Sequence, residues 1–137
     1  PKEDGKQMDI WTLSTNHKTM KAEVKYLYSP DISNLEEYQP KEADNFGFLM
    51  QMFLGPKESK GEESFDIMVC TPKWLLSEHK KDDIIFGRHY LIIFEYDYKR
   101  ILAALQKKVE SVNEDSWEKI GLKIGRIGRW EFEDYQP

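Results

Sequence analysis

Two runs of alternating apolar side chains constrain this chain more than anything else in it. Phe46, Phe48, Met50, Met52 and Leu54 recur at every second residue until Gly55-Pro56, and Phe65, Ile67, Val69 and Thr71 repeat the pattern after a polar stretch from Lys57 to Glu63. A period of two places such residues on one face of a β-strand, and the polar interval reads as a hairpin loop. The two segments are therefore expected to pair antiparallel and to bury their common face under another layer.

The rest of the chain supplies candidates for that layer and for further strands. Ala22, Val24, Tyr26 and Tyr28 alternate in an earlier segment that Ser29-Pro30-Asp31 stops, and a turn or single helical turn is expected around Asn34 to Tyr38. Thr71-Pro72 suits the start of a short helix through Trp74-Leu75-Leu76, with threonine as N-cap and proline at the first helical position. After the charged stretch Glu78 to Asp83, His89 to Tyr96 contains Leu91, Ile92, Ile93 and Phe94, the continuous apolar run expected of a central strand covered on both faces. Ile101, Leu102, Leu105, Val109 and Val112 then fall at helical spacing. A second helix is expected from about Trp117 to Gly125, begun by Asp115 or Ser116, with Trp117, Ile120 and Ile124 facing inward. Trp130 to Tyr135 alternates aromatic and acidic residues and reads as a last, edge strand. The fold class that follows is α+β, a mainly antiparallel sheet with two principal helices packed on one face.

At 137 residues the chain has the length of one ordinary domain. Residues 20–137 are read as that domain, and residues 1–19 as a polar N-terminal extension, leader or added residues with Trp11 and Leu13 as docking points and Met20 as an alternative start. Twenty basic against twenty-five acidic residues give a net charge of −5, without the positive footprint of a phosphate-backbone binder. No nucleic-acid partner is expected, and the acidity favours a basic protein partner. The single Cys70 excludes an intrachain disulfide, no apolar run is long enough to span a bilayer, and the first residues lack the apolar region of a signal peptide. The expectation is a cytoplasmic protein with no membrane partner.

Catalysis requires a nucleophile with its base, a metal cluster or a phosphate cradle. Cys70 with His79 or His89 is the one pair on offer, but a lone thiol between Val69 and Thr71 in a strand is ordinarily a small buried hydrophobe. His17, His79 and His89 show no zinc-binding spacing, and Gly121 to Arg129 fits neither the P-loop nor the dinucleotide pattern. No catalytic, cofactor-binding or metal residues are assigned, and no cofactor is expected. A Cys70-dependent enzyme stays as an alternative, as does a general protein-interaction subunit.

Several of these segments together resemble the immunity protein 8 family, found beside toxin genes in bacterial polymorphic toxin systems. The resemblance rests on Met20-Lys21-Ala22-Glu23-Val24, Ser29-Pro30-Asp31, the run Phe65 to Leu75 containing Val69-Cys70-Thr71-Pro72-Lys73-Trp74-Leu75, Trp117, and the closing Trp130-Glu131-Phe132-Glu133-Asp134-Tyr135. It implies an α+β protein that blocks a cognate toxin domain without cofactor or turnover. Phe65, Val69, Trp74, Leu75, Trp117, Trp130 and Phe132 are expected to build the core rather than the partner surface. The partner-binding candidates are the carboxylates Asp31, Glu36, Glu37, Asp82, Asp83, Glu131, Glu133 and Asp134, which could steer and then pair with basic side chains, and Tyr38 and Tyr135 as exposed aromatic anchors.

Overall fold

The computed structural model describes residues 19–79 and 84–134. Strands β1 (Met20–Tyr28), β2 (Gly47–Pro56) and β3 (Glu63–Cys70) form an antiparallel meander, with the expected hairpin between β2 and β3. Period-two burial is nearly complete on one face. Phe48, Met50, Met52 and Leu54 of β2 and Phe65, Ile67 and Val69 of β3 are all buried. On β1 the alternation changes phase, because a bulge leaves Lys25 outside the ladder between the Val24–Leu54 and Tyr26–Phe53 pairs. Ala22, Val24 and Leu27 face the core, and Tyr26 and Tyr28, expected on that same face, point to the opposite side. One extra residue inverts every later side chain of a strand.

The sheet order is β4-β3-β2-β1-β5, so its middle is β2. The apolar run from His89 was expected to be the central strand. Only β4 (Tyr90–Ile92) forms there, at the sheet edge, parallel to Met68–Cys70 of β3. Pairing ends when the Ile93 N–H donates to the Cys70 carbonyl, after which the chain turns toward Asp97. Short β6 (Arg129–Trp130) takes the other half of the same β3 edge, antiparallel to Phe65 and Asp66. Beyond Trp130 the chain turns, so Glu131 to Asp134 do not extend the strand as expected. β5 (Asn113–Glu114) closes the far side against Met20 and Lys21. The sheet is therefore mixed, with a single parallel pairing among the described residues.

Helix α1 (Pro72–His79) joins β3 to β4. Thr71 caps it as expected, its hydroxyl accepting from the Trp74 N–H. The Trp74 indole lies over Gly47, where a Cβ would come within 2.3 Å of the ring, so only glycine admits this crossing. Helices α2 (Tyr98–Glu110) and α3 (Trp117–Ile124) cover the other face, as expected of the two principal helices. Asp97 caps α2 and Ser116 caps α3, and Ile101, Leu105, Val109, Ile120 and Ile124 enter the core between them. Glu63 stands on that inner face, and its Oε1 accepts from both the Trp117 and the Trp130 indole N–H at 2.9 Å. One carboxylate thus ties β3 to α3 and β6.

Of the residues expected to build the core, Phe65, Val69 and Trp130 are buried, and Trp74, Leu75 and Trp117 are half-buried. Phe132 is instead on the surface, its ring meeting Trp130 edge-on. The residue lies in the turn after β6, where no strand holds it inward.

Candidate partner-binding surface

With α2 and α3 on one side, no element among the described residues covers the other face of the sheet from β1 to β3, apart from Trp74 at the Gly47 end. Its side chains follow from the register. Tyr26 is opposite Phe53, which is opposite Ser64; Tyr28, Gln51, Asp66 and Arg129 form a row across four strands; Leu49, Met68 and Tyr90 form the next. Tyr26 and Tyr28 are 45% and 50% exposed. The Tyr26 ring stacks on Phe53 with centroids 4.6 Å apart, and its hydroxyl donates to Glu62 Oε1. Gln51 donates to Asp66 Oδ1 at 3.1 Å. The result is an aromatic and aliphatic strip in which Tyr26, Gln51 and Asp66 are held by neighbours, mounted on backbone that the ladder fixes.

A second group of exposed apolar residues surrounds the β3–α1–β4 crossover. Leu76, Ile84, Phe86, Ile92 and Phe94 all protrude, with Phe86 89% and Phe94 76% exposed. Sequence reasoning assigned Ile92 and Phe94 to the interior, since an apolar run carries no sign of whether its strand is central or at an edge.

The expected partner-binding residues divide between two distant places. Asp31, Glu36 and Glu37 gather where β1 ends, around two shallow depressions whose walls also include Tyr28, Asn34 and Tyr98. Asp31 is engaged locally, its Oδ2 accepting from the Leu49 N–H. Glu131, Glu133 and Asp134 lie at the opposite edge, beside β6. There Glu131 accepts from the Ser64 N–H at 2.7 Å and Glu133 pairs with Arg88 at 3.1 Å, so both also hold the fold together. Tyr38, expected to be an exposed anchor, is half-buried among Phe46, Phe48 and Tyr96 in edge-to-face contacts. Asp82, Asp83 and Tyr135 lie outside the described residues, as do Trp11 and Leu13.

Of the groups considered for chemistry, Cys70 and His89 are placed apart in their surroundings. Cys70 is completely buried, and burial pushes its thiol up from 9.0 to about 11. His89, whose carbonyl accepts from the Met68 N–H, turns its ring away to Gly125, with Nε2 2.7 Å from that carbonyl. Among the described residues no group of three His, Cys, Asp or Glu side chains could hold a metal ion. None of their helices is long and apolar enough to cross a membrane.

Burial also pushes Tyr96 up to about 12, aided by Tyr98 and Tyr38, while its hydroxyl donates to the Leu35 carbonyl. The folded state therefore keeps protons that the unfolded chain releases above about pH 9, and stability falls as the pH rises from there toward 11 and 12. Urea midpoints measured from pH 8 to pH 11 should decline, and Cys70 should resist a thiol reagent at pH 8 until the protein is denatured. Rapid labelling of the native protein would contradict the buried thiol.

The model of the family described as immunity protein 8 matches residues 22–135. Searches of the curated proteins and of the solved structures found no match to this chain. The matched segment contains the meander from Ala22 onward, the three helices of the described residues and both apolar surfaces just described, and the chain belongs to the immunity protein 8 family.

Proposed function

We propose that this chain, through a domain spanning residues 20–137, binds and neutralises a cognate toxin domain made by the same bacterium. It does so in the cytoplasm, by non-covalent association and without turnover. The observation that carries the reading is the family match over residues 22–135. Large apolar side chains held exposed on strands and beside them support it, because a protein that acts by occupying another needs such anchors. Neutralising a lethal enzyme at low concentration calls for nanomolar binding or better, about −12 kcal/mol, and so for an interface of roughly 1,200–2,000 Å².

The carboxylates Asp31, Glu36, Glu37, Asp82, Asp83, Glu131, Glu133 and Asp134 have a supporting role in this reading. They raise the encounter rate with a basic toxin, an effect that salt screens. Tyr135 is a further candidate contact. The test is to express the toxin domain encoded beside this gene, alone and together with this chain. Growth should stop in the first case and resume in the second, with no rescue from an unrelated toxin. Failure to rescue would remove the reading. Reversing Glu36 and Glu37 to lysine should slow association several-fold at low salt and change little at high salt, measured by stopped-flow mixing with the toxin domain.

A further inference from the structure

We infer that the toxin docks on the uncovered face of the sheet, centred on Tyr26, Tyr28, Leu49, Phe53 and Met68, and that the surface it presents there is cationic. The inference rests on the immunity reading above and adds the place of contact and the chemistry of the occupant.

Charge complementarity is the first argument. Glu23 and Asp66 belong to this face, and Asp31, Glu36 and Glu37 stand where β1 leaves it; the cations beside them are Lys21, Lys25 and Arg129. The hairpin Lys57–Glu62 adds two residues of each sign, and at the α1 end Lys73 is answered by Asp44. Five carboxylates against three cations leave a negative field around an apolar centre. One of those cations is already spent, since Lys25 Nζ is 2.8 Å from Glu23 Oε2 and donates to the Ser59 carbonyl. Opposite-sign potentials across an interface favour association, and an Arg or Lys of a partner gains most where carboxylates surround exposed rings.

Rigidity is the second argument. Tyr26, Tyr28, Phe53 and Met68 project from paired strands, and Phe53 and Tyr26 brace each other by stacking. Aromatic anchors of this kind lose little conformational freedom on binding, which is where much affinity is otherwise lost. A guanidinium lying flat on the exposed Tyr28 or Tyr26 ring would be within reach of Glu62, Asp66 or Asp31, the geometry that distinguishes Arg from Lys. The crossover group around Phe86 and Phe94 is more exposed, but nothing among the described residues there defines an occupant. It serves instead as the control.

The experiment uses a catalytically inactive form of the toxin domain encoded beside this gene, titrated against the full chain at low and high salt. Tyr28→Lys and Tyr26→Ala should each weaken binding on the order of 30-fold or more while melting like the parent, and Asp66→Asn should flatten the salt dependence. Phe86→Ser and Phe94→Ser should bind as the parent does. Face variants that bind normally, with the Phe86 or Phe94 variants weakened, would overturn the inference and leave immunity standing. Equal affinity at low and high salt would overturn the cationic occupant. A parent chain that does not bind the domain at all would remove both this inference and the immunity reading.

Discussion

Trp130→Ala is expected to destabilise the protein by about 3–5 kcal/mol, the range for removing a buried large aromatic. Trp130 is only 8% exposed and lies parallel to Phe65, ring centroids 6.1 Å apart. Helix α3 presses on it so closely that a Cβ at Gly121 would come within 2.6 Å of the indole. Alanine would open a cavity that two fixed elements, β3 and α3, cannot easily collapse. It would also remove one of the two N–H groups that Glu63 accepts from. Trp130→Phe keeps most of the ring area and loses the hydrogen bond, so a smaller loss of about 1–3 kcal/mol is expected. Urea unfolding of the two variants, with Glu63→Gln as the second arm of a double-mutant cycle, separates packing from hydrogen bonding. A loss below about 1 kcal/mol for Trp130→Ala would mean that the chain after α3 does not pack on β3 as described.

Thr71→Val should cost about 2–4 kcal/mol, although valine has almost the same shape. Thr71 is fully buried at the junction of β3 and α1. Its Oγ1 accepts from the Phe46 N–H and the Trp74 N–H, both at 3.2 Å, and donates to the Phe46 carbonyl. Valine would strand the Phe46 N–H in the interior, where an unmet donor costs about 1–3 kcal/mol, and would remove the N-cap of α1, worth about 1 kcal/mol. Thr71→Ser keeps every acceptor and should lose only about 1 kcal/mol for its methyl group. If valine and serine proved equally mild by urea unfolding, the hydroxyl would not be the link between strand and helix. Because α1 carries Trp74 over Gly47, the valine variant should also expose that indole, visible as a red shift in fluorescence.

The meander and the helices were legible because each rests on local chemistry. Alternation in β2 and β3, helical spacing in α2 and α3, and the caps Thr71 and Ser116 act within a few residues of themselves, and all of them formed. The acidic residues at Asp31, Glu36 and Glu37 were equally visible as charges, and the fold places them together at the end of β1. The apolar binding candidates were not legible. Tyr26 and Tyr28 were expected on the buried face, and Ile92 and Phe94 in a central strand.

The difference is one of range. By itself the sequence determined which segments alternate, which wind into helices, and that one core with a covering helical layer must form, since those follow from spacing and the removal of apolar surface from water. Only the tertiary structure decided which strand became the edge and which face stayed bare. A bulge at Lys25 turns the second half of β1 over, and β4 finds space only beside β3, where Ile92 is left exposed. Both outcomes depend on which backbone groups meet across the sheet, and a periodicity read along one segment says nothing about its neighbours.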